Sequence, residues 1–210
     1  MGPLRSMFFI DGFNVYHSLA TGFRKYLWLD FYSLARNISS LPYEDVQAVN
    51  YFTAFATWKP ASVSRHRDYV EVIKNSGVDI VLGRFQEKQR KCAATGGCGR
   101  IFTAHEEKLT DVNIALSIVE TCVNNKCDIL YLVSGDNDLT PALEVARKLC
   151  NGIKITVVLP LHAKAKNLKQ ICSRNGYSCI SISEPLLSKS QFPNNVTIGG
   201  KIYSRPSSWS

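Results

Sequence analysis

The sequence predicts an α/β fold, a three-layer sandwich with helices on both faces of a central parallel sheet. Three observations carry this. Short apolar runs alternate with stretches of helical periodicity along most of the chain, and that alternation builds a parallel sheet through right-handed crossovers. Two of the runs, Met7-Phe8-Phe9-Ile10 and Ile129-Leu130-Tyr131-Leu132-Val133, are apolar without interruption, as strands covered on both faces are. Acids follow both runs, Asp11 after the first and Asp136 and Asp138 after the second. In open α/β sheets, ligands bind beyond the carboxyl ends of the strands, where the strand order reverses.

The elements follow in order. Residues 7–10 read as the first strand, 14–20 and 31–38 as helices separated by an aromatic loop around Tyr26 and Trp28, and 48–56 as the second strand. Residues 62–75 form a helix with Val63, Val70 and Ile73 on one stripe, ended by Gly77. Residues 78–85 are the third strand. Residues 86–103, basic and glycine-rich, break the rhythm as an insertion or hairpin. Residues 105–122 carry the clearest helical period, through Val112, Ala115, Leu116, Val119 and Cys122. The fourth strand is 128–134, a helix spans 139–149, the fifth strand is 154–158, a basic helix spans 163–173, and 178–181 is a candidate last strand. Residues 1–6 read as a leader with Met7 a natural start, and 7–183 as one domain. Residues 184–210, with Pro185, Pro193, Gly199-Gly200 and Pro206, read as an irregular tail.

At 210 residues the chain is long enough for one domain with its own core. No apolar stretch approaches the roughly 20 residues of a membrane span, so no membrane partner is expected. Seven cysteines and no signal-peptide pattern argue against a secreted disulfide framework and for a cytoplasmic protein. Copy number is left open; a homo-oligomer is compatible with the sequence.

Asp11 and Asp136, brought to one cleft by two strand ends, are the best metal ligands, with Asp111 added from Glu106-Glu107-Lys108-Leu109-Thr110-Asp111 at a helix start. Clustered carboxylates repel one another and suit a hard cation such as Mg²⁺ or Mn²⁺. The chain is otherwise basic, at net charge +8. An acidic pit in a basic protein points to a phosphate substrate, above all a nucleic acid. Asp138 is a further catalytic candidate or a helix N-cap. Asn14 either bonds a metal-bound water or caps the next helix. Ser134 either donates to carboxylate or phosphate or simply forms the turn. Lys108 is a phosphate partner or a solvated lysine, and Glu107 reads best as a first-turn helix acid.

The segments Phe8-Phe9-Ile10-Asp11-Gly12-Phe13-Asn14-Val15, Glu106-Glu107-Lys108-Leu109-Thr110-Asp111-Val112 and Leu132-Val133-Ser134-Gly135-Asp136-Asn137-Asp138-Leu139 occur in that order. Together they resemble the NYN domain family, a branch of the PIN-like nucleases, over residues 7–182. The resemblance implies strand order 3-2-1-4-5 and metal-dependent cleavage of RNA. It maps the family's acidic positions onto Asp11, Asp111, Asp136 and Asp138, with Asn14 beside the first. An RNA-binding module with a vestigial site is the alternative. A haloacid dehalogenase-type phosphatase is disfavoured because Phe13 stands where its second acid is needed.

Basic residues cluster at Lys59, Arg65 and Arg67; at Arg84, Lys88, Arg90, Lys91 and Arg100; and at Lys164, Lys166, Lys169 and Arg174. Lys88, Arg90, Lys91, Lys164 and Lys166 are the expected RNA contacts, and Trp58, Phe85 and Phe102 lie near them. Cys92, Cys98 and His105 suggest a structural Zn²⁺ site; an ordinary loop with free thiols is the competing reading.

Overall fold

The computed structural model describes residues 2–40, 42–92, 98–163 and 165–209. β1 (Leu4–Asp11) leads directly into α1 (Gly12–Ala20). A 3-10 turn at Arg24–Tyr26, α2 (Phe31–Ile38), β2 (Glu44–Thr53), α3 (Pro60–Asn75) and β3 (Asp79–Leu82) come next. A hairpin of β4 (Arg84–Lys91) and β5 (Ile101–Lys108) precedes α4 (Thr110–Val123) and β6 (Ile129–Val133). After a 3-10 turn at Asn137–Leu139 come α5 (Thr140–Leu149), β7 (Lys154–Leu159), α6 (Lys166–Asn175) and β8 (Ser178–Ser181). Then follow α7 (Glu184–Lys189), β9 (Asn195–Ile198), β10 (Lys201–Ser204) and a 3-10 turn at Ser207–Trp209.

Six strands form one sheet in the order β3-β2-β1-β6-β7-β8, with every neighbouring pair parallel. The expected five-strand order differs in detail: β8 adds a sixth strand at one edge, and β4 and β5 pair only with each other outside the sheet. The chain winds outward from β1 to β3, then returns to lay β6 beside β1. The order therefore reverses between β1 and β6, and the carboxyl ends of these two strands flank the crevice where such sheets bind ligands.

Both faces of the sheet are covered. Along β1, Phe8 and Ile10 enter the core beneath α1, α2 and α3, while Met7 and Phe9 enter the core beneath α4, α5 and α6. β6 divides likewise, with Tyr131 and Val133 on one face and Leu130 and Leu132 on the other. Phe8 stacks on Tyr131 at 4.3 Å between ring centroids, tying the two central strands together. Burying a phenylalanine side chain contributes about 1.5–3 kcal/mol, so the uninterrupted apolar runs act as the keel of the fold. Among the described residues, no helix is long and apolar enough to cross a membrane.

Several expectations change. β1 begins at Leu4, so residues 4–6 of the expected leader are sheet; Arg5 pairs with Asp128 at 2.9 Å. The expected third strand breaks at Gly83, and the chain turns into the hairpin there. Residues 105–108, expected to open a helix, end strand β5, and the helix starts at Thr110. The expected irregular tail is ordered. Gly199 and Gly200 both have positive φ, 56° and 84°, and form the two-residue turn between β9 and β10, the turn that a twisted hairpin favours. The tail docks on the aromatic loop: the Trp28 indole donates to Pro193 O at 2.8 Å, and Trp209 packs on Trp28 and Tyr69. Its glycine pair makes a turn and Pro185 opens α7, while its scattered apolar residues find a ledge made elsewhere in the chain.

Candidate functional site

Asp11 ends β1 and caps α1, accepting the Asn14 amide on Oδ1 at 3.0 Å. Strand passes into helix without a spacer because residue 12 is glycine. A Cβ there would lie 2.6 Å from Phe52 O and from the Tyr51 ring. At the matching end of β6, Ser134 donates to Asp11 Oδ2 at 2.9 Å and accepts the Asp136 amide at 3.0 Å. The Gly135 amide donates to Asn14 Oδ1 at 2.8 Å. Asn14 and Ser134 thus stitch the two strand ends together around one carboxylate.

That carboxylate is only 4% exposed. Burial pushes the Asp11 carboxyl up to about 6; the bonds from Asn14 and Ser134 pull it back, and the charges of Asp111 and Asp136 push it further. Asp111, in the first turn of α4, is also raised, by burial first and then by repulsion from Asp136, Glu107 and Asp138. The structure therefore brings Asp11, Asp111 and Asp136 within electrostatic reach of one another, with Asp138 in reach of Asp111.

Ser134 takes one of its expected parts, donating to a carboxylate, while Asp138 and Glu107 are placed otherwise than expected. Asp136, not Asp138, caps the turn at Asn137–Leu139, accepting the Asp138 amide at 2.9 Å. Asp138 is exposed. Glu107 lies on β5 and caps α4 from outside by accepting the Thr110 amide at 3.2 Å and the Thr110 hydroxyl. Ser134 gives its one proton to Asp11, so no proton is left for a phosphate in this arrangement. Asn14 works as a positioning residue between β1 and β6.

The donor set fits a hard divalent cation in its chemistry: oxygen ligands that repel one another, one of them buried at Asp11 and the others more open to solvent. Each Asp11 oxygen retains a lone pair beyond its hydrogen bond. As the side chains stand, no group of three or more His, Cys, Asp or Glu among the described residues is placed to hold a metal ion.

The hairpin carries much of the basic charge, with an unforeseen counterweight. Lys88, Arg90 and Lys108 all pair with Glu106, at 3.9 Å and 3.1 Å for the two lysines. Arg90 above all holds the Glu106 carboxyl down at about 2. Three cations around one acid leave a positive excess, and exposed Lys91 adds to it. Lys166 is exposed at the start of α6, and Lys164 lies outside the described residues. The expected zinc set does not assemble. His105 pairs in register with Glu87, four residues along β5 from Ile101 beside the Cys92 end, roughly 14 Å away at strand rise. His105 instead stacks on Trp58 at 3.7 Å, with Nε2 3.4 Å from Glu87. Cys92 and Cys98 are free thiols.

A feature missed in the sequence adjoins Asp11: a cavity of about 300 Å³ that begins at Gly12 and Phe13 and includes Tyr51, Thr53 and His66. The alternation of Tyr51 and Thr53 on β2, which points both to one side, was the only signal for it.

The NYN domain family model matches residues 5–179 of the chain. The chain is also similar to a 6-hydroxy-3-succinoylpyridine 3-monooxygenase, HspA, of Pseudomonas putida (strain DSM 28022 / S16). The two are 24% identical over 239 aligned residues, covering 99% of this chain and 76% of that protein. No solved structure matches.

Proposed function

The chain belongs to the NYN domain family, which is in general nuclease-like, and on that premise we propose that it is a metal-dependent endoribonuclease. The observation that supports this most is the buried Asp11 carboxyl at the β1–β6 reversal, pushed up to about 6 with Asp111 and Asp136 adding to the push. Asp11, Asp111 and Asp136 would hold Mg²⁺ or Mn²⁺. Such an ion supplies an activated water and neutralises the phosphate.

The rest falls to the chain itself. Ser134 and Asn14 fix the orientation of Asp11. The turn that Asp136 caps holds its carboxylate at the cleft edge. The hairpin cations and Lys166 attract the strand, and Lys108 stands two residues before α4 with its ammonium shared with Glu106. Attack by water in line leaves a 5′-phosphate and a 3′-hydroxyl.

The test is incubation of the purified protein with labelled single-stranded and structured RNAs in Mn²⁺, Mg²⁺ or chelator, followed by sequencing of the product ends. Cleavage abolished by chelator supports the reading. Products ending in 2′,3′-cyclic phosphate would mean the RNA 2′-hydroxyl attacked, and the mechanism would be wrong. RNA binding without metal-dependent cleavage would favour a binding module.

A second reading has one observation in its favour, the cavity beside Asp11. The P. putida relative is named for a reaction on a pyridine derivative, and a small-molecule substrate here would need such a space.

A further inference from the structure

The cavity lies between α1, the end of β2 and the start of α3. It begins at the two residues after Asp11, and its outer walls are Phe85 from the hairpin and Trp209 from the tail. Aromatic surfaces dominate it. Trp58 meets Phe85 edge-on at 4.6 Å and is itself backed by His105 at 3.7 Å. Phe13 meets Phe85 edge-on at 5.4 Å. Walls braced in this way present flat, rigid surfaces, which suit a flat ligand.

The charged groups on the lining are all of one sign. Arg24, Lys59 and Arg65 line the cavity, and among the described residues no Asp or Glu does. Arg24 is steadied by its bond to Ser208 O at 2.9 Å. Lys59 and Arg65 have no carboxylate partner among the described residues. A ligand that satisfies them is anionic. His66 contacts Thr53 Oγ1 at 3.2 Å. Burial pushes its imidazole down to about 4, so near neutral pH one ring nitrogen donates and the other accepts. With Nε2 spent on Thr53, the pair adds a polar, uncharged patch to an otherwise aromatic lining, which suits a ring with heteroatoms on its edge.

We propose that this cavity binds one planar heteroaromatic ring carrying an anionic group, with the ring between the aromatic walls and the anion against Lys59 and Arg65. A volume of about 300 Å³ stands at the small end of ligand sites. It admits one ring system and its anionic group. The same chemistry has two sources, a nucleotide with its base and phosphate, or a free heteroaromatic carboxylate. The site does not depend on cleavage at the acidic cluster.

The experiment titrates the full chain, without metal, with uridine 5′-monophosphate, adenosine 5′-monophosphate and nicotinate. Trp58 and Trp209 line the cavity, so their fluorescence reports occupancy; calorimetry gives stoichiometry. At least one probe is expected to bind saturably, one per chain. Arg65→Glu, on an exposed position, and Ala56→Phe, which fills the cavity, should each weaken it about tenfold or more. Thermal melting accompanies each titration, and Lys59→Glu replaces Ala56→Phe if that variant fails to fold. Binding of nucleotides alone identifies the ring as a base; binding of nicotinate alone identifies a free aromatic acid; either supports the site. No saturable binding of any probe, or binding indifferent to both variants, overturns it.

Discussion

Ser134 and Asp11 lie 123 residues apart in sequence and meet through one hydrogen bond of 2.9 Å across the β1–β6 seam. The donor stands at the end of one strand and a buried carboxylate at the end of the other. The contact places a charge where the fold disfavours it, and several consequences can be measured.

Asp11→Asn should abolish metal-dependent RNA cleavage and yet stabilise the metal-free protein at pH 8. The amide keeps the shape and removes a buried charge repelled by Asp111 and Asp136. Thermal melting beside a cleavage assay checks both halves. Full activity in a folded variant would remove Asp11 from the site.

In the metal-free protein, the stability of the wild type relative to Asp11→Asn should fall as pH rises from about 4 to about 6; the buried His66, pushed down to about 4, acts with the opposite sign in both proteins and cancels from the difference. The folded Asp11 carboxyl titrates near 6, above its ordinary 3.8. Between those values the folded state holds a proton that the unfolded chain has released, so raising pH favours unfolding. The difference is worth about 3 kcal/mol. Asp111, also raised, acts with the same sign. Denaturant melts across this range test it, and saturating Mn²⁺ should flatten the trend. A wild-type-minus-Asp11→Asn difference that stays flat with chelator present would contradict the burial argument.

Ser134→Ala should destabilise the fold by about 1–3 kcal/mol, the cost of leaving buried partners unsatisfied. It should also move the acid limb of the cleavage profile to higher pH, because the lost donor favoured the ionised Asp11. Rescue by Ser134→Thr would separate hydroxyl from packing.

Glu106→Gln should release Lys88, Arg90 and Lys108 from their shared acid. RNA affinity at low salt should rise, and the log–log salt dependence should steepen by about 0.7 for each phosphate newly neutralised on a single strand. Alanine at Lys88, Arg90 and Lys91 together should do the opposite. Filter binding against salt reads both, and unchanged slopes would send the RNA path elsewhere.

Trp209→Ala should cost about 3 kcal/mol, as truncation of a buried aromatic does, because Trp209 packs on Trp28 and Tyr69. A melt within error of the wild type would mean the tail is ornamental to stability.

Much of this arrangement was legible. The keel strands declared themselves through uninterrupted apolar residues such as Phe8, Phe9, Leu130 and Leu132. The acids at their ends followed from the geometry of parallel sheets. Asp111 was legible by position but not by context, since the residues before it proved to be strand; Glu106 and Glu107 suit an exposed ribbon as well as a helix start. The tail was opaque because its partners Trp28 and Tyr69 lie far off in sequence. His105 near two cysteines suggested a metal, but only the strand register reveals that they stand apart. Beyond the alternation of Tyr51 and Thr53, the cavity has no local signature, being made from α1, β2, α3, the hairpin and the tail together.

The hairpin deserves a mechanical reading. β4 and β5 pair only with each other, and β5 passes into α4 through the single residue Leu109, whose φ of 78° is left-handed. Two residues later stands Asp111. The root of the ribbon is braced where Phe85 meets Phe13 and Trp58 and His105 stacks on Trp58. The cations of β4 and the Asp111 acid of the pit are therefore carried by one continuous stretch of chain, anchored between them.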